Sequence, residues 1–143
     1  MAVRVTAEPF DPWRAIADHV VPAPAARCGA TAVFVGHVRE MNEGAAVVRL
    51  ELEHYPGMTE RQLEAICAEA ARRWTVLDLL VVHRVGVLEP GDPIVLVAVW
   101  SAHRAAAFEA CRFIMEALKS RAPFWKKETL PEGTRWVTTN TPG

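Results

Sequence analysis

The chain has 143 residues and a mass of 15.8 kDa, the size of one domain, and is long enough to bury a core without disulfides or a structural metal. Hydrophobic residues make up 51% and charged residues 23%, which excludes a disordered or collagen-like chain. A net charge of −1 argues against a general nucleic-acid binder. The longest apolar runs, such as Ile94 to Trp100, fall well short of the roughly 20 residues a membrane span needs. The first ten residues, MAVRVTAEPF, lack the apolar stretch of a signal peptide, so a cytoplasmic location is expected.

Val3 to Ala7 reads as a short strand, followed by a short helix capped by Asp11 with Pro12 in its first position. Pro22 to Gly29 reads as a loop. Ala30 to Arg39 is β-rich and predicts a central strand, in which Gly36 marks a bulge or a close approach of a ligand. Met41 to Ala46 reads as a turn. Val48, Leu50 and Leu52 alternate with charged residues, the pattern of a strand with one wet face. Thr59 and Gln62 form a capping-box pair, with Met58 stapled onto Leu63. The apolar spacing then predicts a helix to about Arg73. Leu77 to Leu88 and Pro93 to Ser101 read as two strands joined by a type II turn at Glu89-Pro90-Gly91-Asp92. A second long helix follows Ser101 as its N-cap, with Phe108, Cys111, Met115 and Leu118 as its inner stripe, and ends at Pro123. Phe124 to Thr129 and Thr134 to Val137 complete the pattern as a hairpin. The whole predicts one α+β domain over residues 1–143, a mostly antiparallel sheet with two main helices. The strands between 77 and 99 carry more apolar surface than two helices can cover, which predicts a homodimer.

Charge is unevenly distributed. Residues 41–69 hold six Glu against two Arg, whereas residues 101–127 hold six cations against Glu109 and Glu116. Such a basic segment suits a small anion or an acidic tail, although a solvated helix face explains it equally well. Thirteen of the 16 basic residues are Arg; the three Lys are Lys119, Lys126 and Lys127, all within nine positions. Lysine can lose its proton and serve as base or nucleophile, which arginine cannot. Cys28, Cys67 and Cys111 lack ligand-like spacing, and the latter two fall on the apolar stripes of predicted helices, as inert small hydrophobes do.

Three places can carry chemistry. His103 and Arg104 stand at a helix N-terminus, where cations are unfavourable unless an anion binds. Lys119 lies near the C-terminal end of the same helix, bordering its apolar face, where partial desolvation would lower its pKa. In Phe124-Trp125-Lys126-Lys127-Glu128, alternation puts Lys126 and Glu128 on one strand face and Lys127 on the other. Lys126 could share a pocket with Lys119, and edge protection by lysines is the alternative. His37 and Arg39 flank Val38 and point to one side. His54 and His83 read as ordinary strand-edge histidines.

The stretches FVGHVRE (34–40), LEHYPGMTE (52–60), VVHRVGVLEPGD (81–92), SAHRAAAFEA (101–110) and LKSRAPFWKKE (118–128) resemble the large, catalytic subunit of molybdopterin synthase. The resemblance implies an α/β hammerhead-type fold and a central homodimer. A small ubiquitin-like sulfur-carrier subunit would dock at each end of it, giving a heterotetramer. It implies that the carrier's C-terminal Gly-Gly thiocarboxylate enters a pocket and gives its sulfur to cyclic pyranopterin monophosphate, with no cofactor and no metal. Two such rounds would build the dithiolene of molybdopterin. It assigns catalysis to Lys119 and Lys126 and substrate binding to His37, Val38, Arg39, His103, Arg104, Lys127 and Glu128. A module that only binds an anion or a ubiquitin-like tail is the alternative; its lysines would be contacts and would tolerate arginine.

Overall fold

A computed structural model describes residues 1–137. β1 (Ala2–Thr6) leads into α1 (Pro12–Asp18), where the Asp11 carboxylate accepts from the N–H groups of Trp13 and Arg14 at 2.9 and 3.3 Å. One 3-10 turn, Ala25–Arg27, interrupts the loop before β2 (Ala30–His37). Residues 41–46, expected as a plain turn, form a small hairpin of β3 (Met41–Asn42) and β4 (Ala45–Ala46). β5 (Arg49–His54), α2 (Met58–Arg73), β6 (Asp78–Arg84), β7 (Gly86–Leu88) and β8 (Pro93–Ser101) follow. α3 (Arg104–Arg121), β9 (Phe124–Leu130) and β10 (Gly133–Val137) complete the described chain.

The class is α+β, and its strands divide into two four-stranded sheets rather than one. The first runs β1-β6-β8-β2 and is antiparallel except for the β1–β6 pair; the second runs β10-β9-β5-β7 and is antiparallel throughout. Residues 77–88, expected as a single strand, cross from one sheet to the other at Gly86. Its φ of 90° is a conformation that side chains with a Cβ resist.

Every residue of β6 is buried, because both faces of its sheet are covered. Leu79 and Val81 face α2 and α3, packing with Leu63, Ile66, Ala110 and Ile114. Leu80 and Val82 face the other way, packing with Leu96, Trp100 and Ile16 of α1. The second sheet builds its own small core from Leu50, Leu52, Val85 and Leu88 together with Val38. The strands between 77 and 99 are therefore not the uncovered face expected. Exposed apolar side chains include Val33 and Phe34 on the β2 edge, 37% and 43% exposed, Phe108 of α3, and Val87, Trp125 and Trp136 of the second sheet.

Three local expectations change. Phe108 is 66% exposed and leaves the inner stripe, which is built from Ala107, Ala110, Cys111, Ile114, Met115 and Leu118; one residue further round the helix turns Phe108 outward. Ser101 closes β8, its hydroxyl donating to Thr75 O at 2.8 Å, so His103 holds the N-cap position of α3. α2 starts at Met58, and its cap is Gly57, whose N–H reaches Glu60 Oε2 at 3.2 Å. Thr59 is thus no cap. Fully buried, its hydroxyl accepts from Tyr55 N at 3.0 Å and donates to Pro123 O at 3.1 Å, tying the start of α2 to the α3–β9 link.

Candidate active site

The two sheets and the C-terminal end of α3 enclose a cavity of about 600 Å³. Apolar side chains, among them Phe34, Ile94, Met115, Leu118 and Phe124, form much of its wall. Into it come His37, Val38 and Arg39 from the end of β2, Lys119 from α3, and Lys126 and Glu128 from β9. The chain enters this region through a bulge between Gly36 and His37. A Cβ on Gly36 would sit 2.9 Å from Val95 Cγ1 and 3.3 Å from the Phe34 ring, so any larger residue there would displace those side chains. Val38 is buried and held at both ends, its N–H donating to Asp92 O at 2.9 Å and its carbonyl accepting from Gly91 N at 2.8 Å.

The antiparallel register of β9 puts Lys126 and Glu128 on the cavity face, as alternation predicts. Burial first, and then the charge and hydrogen bond of Lys119, push the Lys126 amine down to about 8, while Glu128 pulls it back up. The lowering of Lys126 by a neighbouring Lys119 follows the expectation that the two would share a pocket. A Lys126 amine at about 8 can be neutral in part near neutral pH and then has a lone pair to accept a proton. The pair can therefore offer a base and an acid side by side at near-neutral pH.

Glu128 is 3% exposed and already engaged: Oε1 accepts from Asn42 Nδ2 at 2.9 Å and from Arg135 Nε at 3.2 Å. Arg39 donates to Asn42 Oδ1 at 3.2 Å. Lys127 points away from the cavity, its ammonium 5.7 Å from the centre of the Trp136 ring. His103 and Arg104 are exposed at the opposite end of α3. The 15 residues from Arg104 to Lys119 span about 22 Å at roughly 1.5 Å per residue, so one copy of the chain does not bring them into its own cavity.

Neither buried thiol competes for the chemistry: burial pushes Cys67 up to about 12 and Cys111 up to about 11. One cavity residue was missed. His83 is not at a strand edge; it is 4% exposed at the end of central β6, stacked on Phe124 with ring centres 3.9 Å apart. The period-two pattern Leu79, Val81, His83 already puts it on the helix-covered face, and this parity was the available signal. Its Nδ1–H donates to Arg84 O at 2.8 Å, which leaves Nε2 as the acceptor of the neutral ring.

Burial first, and then the charges of Lys126, Lys119 and His54, push the His83 imidazole from 6.5 down to about 4, against the opposing pull of the Arg84 carbonyl. A base whose pKa is lowered by folding binds its proton first in the unfolded chain. Stability is therefore complete above pH 6.5 and declines as pH falls toward 4. Between pH 7 and pH 5 the loss from this residue should be about 2 kcal/mol. Urea unfolding of the protein and of His83→Phe at both pH values checks it. An equal loss in the two proteins would remove His83 as the cause.

The fold and the cavity bring two lysine side chains together in a largely apolar pocket, with Arg39 beside them. The chain matches the family described as MoaE protein over residues 5–121. It is 53% identical over 137 residues to the molybdopterin synthase catalytic subunit of Pseudomonas aeruginosa, covering 96% of this chain and 90% of that one. It also superimposes on the solved MoaE protein of Burkholderia ambifaria, with a TM-score of 0.79, 50% identity and coverage of 95% and 88%. Molybdopterin synthase from Staphylococcus aureus gives a TM-score of 0.84 at 34% identity, with coverage of 94% and 96%. The chain belongs to the MoaE family, the catalytic subunits of molybdopterin synthase, and is a sulfur-transferring enzyme of molybdenum cofactor biosynthesis.

Proposed function

We propose that the cavity transfers sulfur from the C-terminal thiocarboxylate of a small ubiquitin-like carrier to cyclic pyranopterin monophosphate. The observation that carries this is the placing of Lys119 and Lys126 together in a largely apolar cavity with Arg39. The carrier's tail and the substrate's phosphate are both anionic, and cations in a partly dry site bind them more strongly than in water. Sulfur transfer to carbon develops negative charge and moves protons. An ammonium stabilises the first and a neutral amine accepts the second. Arg39 and His37 hold the phosphate, and Glu128 keeps Lys126 from losing its proton too readily. Mixing the protein with thiocarboxylated carrier and the cyclic pterin tests the reading: dithiolene product is expected, and its absence with folded protein defeats it.

The working form in this reading is a homodimer with a carrier at each end. Two observations support it: the unpaired β2 edge exposes Val33 and Phe34, and His103-Arg104 lies too far from Lys119 in one chain to serve one substrate. The partner copy then supplies His103 and Arg104 as phosphate ligands. Arg104→Ala should weaken the cyclic pterin about tenfold to a hundredfold, the effect of one charge-assisted hydrogen bond, and the carrier much less. Mixed with Lys119→Ala after unfolding and refolding together, it should regain activity, because the mixed dimer keeps one cavity with both sets intact. No recovery in a mixture shown to contain mixed dimers would mean that the sites are not shared.

A further inference from the structure

Arg39 lies just past the end of β2, where the backbone is held by neighbours on both sides: Val38 N–H donates to Asp92 O, and Val47 N–H donates to Glu40 O at 2.8 Å. Its guanidinium is at the end of a long, exposed side chain. One short residue reaches it, Asn42 on the β3–β4 hairpin. The same Asn42 faces the cavity, donates from Nδ2 to the buried Glu128 at 2.9 Å, and gives its backbone carbonyl to Arg135 Nη2 at 2.8 Å. It thus stands between the cation at the rim and the carboxylate beside Lys126.

A side chain in that place must accept from a guanidinium and donate to a carboxylate at once, and an amide does both. Without it, Arg39 and Glu128 have opposite charges and no spacer, and a direct ion pair would draw the guanidinium off the rim and away from any substrate anion. It would also divide the carboxylate that now acts on Lys126. The Arg135 bond to the Asn42 carbonyl, with Arg135 in turn 3.8 Å from Glu43, fastens the hairpin that carries the amide.

We propose that Asn42 is a positioning residue for substrate binding: its side-chain amide, braced by Glu128, holds Arg39 at the cavity rim and keeps it from pairing with that carboxylate. The proposal rests on the cavity being the synthase site, and its test separates the two. If the unaltered protein forms dithiolene, that reading stands whatever Asn42 does.

In that assay Asn42→Ala should raise KM for the cyclic pterin about tenfold, as loss of an oriented charge-assisted contact does, with kcat within about threefold. In an Arg39→Ala background the same substitution should add almost nothing, since the side chain it positions is gone. A structural role in the hairpin alone would lower kcat as well as raise KM, and would act equally in both backgrounds. Asn42→Asp, which keeps the shape and the acceptor but loses the donor, serves as the second variant if the alanine protein does not fold, and should raise KM at least as much. A KM within about twofold of the unaltered protein, or an equal rise with and without Arg39, would overturn the assignment.

Discussion

Replacing Lys119 by alanine should slow dithiolene formation about 100-fold or more, the usual cost of losing an acid–base or electrostatic catalyst. Lys119 is half-buried in the cavity wall on the last turns of an 18-residue helix, and it faces Lys126. No other side chain can supply both an amine lone pair and a cation from that position. Lys119→Arg should fail nearly as badly if the residue moves a proton, since arginine stays charged. Lys126→Ala should come next in severity. Lys127→Ala should be milder, because Lys127 faces Trp136 on the far side of β9. Single-turnover rates on folded, dimeric variants rank the three. A series in which Lys127→Ala is worst would reverse the assignment.

The rate should also rise with pH through a value near 8, because that is where burial and the adjacent Lys119 place the Lys126 amine. Below it the Lys126 amine carries its proton; above it the amine is neutral and can accept one. The inflection belongs to the coupled pair rather than to one residue. The sign of the neighbour effect gives a second check. Removing the Lys119 charge makes Lys126 harder to deprotonate, so Lys119→Met should shift the Lys126 titration upward from about 8. Carbon-13 NMR of labelled lysine side chains reads that shift even where activity is too low to measure. A titration that stays in place would show that Lys119 does not act on Lys126.

Much of the cavity was legible because strand parity is an exact code. Lys126 and Glu128 share a face, and Lys127 does not, on period-two grounds alone. The same code applied to Leu79, Val81 and His83 would have put the histidine in the interior, but a polar residue at the end of an apolar run was read as a strand edge. The division into two sheets was not legible, because Val85-Gly86 looks like continued strand until the positive φ of Gly86 turns the chain. The separation of His103-Arg104 from Lys119 was legible, since they fall at the two ends of one predicted helix; what was not legible is that the cavity lies at the Lys119 end alone. Phe108 was misplaced for a different reason: stripes of small residues, Ala107 and Ala110, carry little hydrophobic weight in a pattern and lose to one large aromatic.

The buried Thr59 hydroxyl latches the backbone that joins the two lysines. It grips Pro123 O in the two-residue span between the end of α3 and the start of β9, which is the covalent path from Lys119 to Lys126. With that span pinned from α2, the backbone positions from which the two lysine side chains extend are set when the chain folds. The catch is an uncharged residue about 60 positions earlier in the chain, on a helix that contributes nothing to the cavity wall.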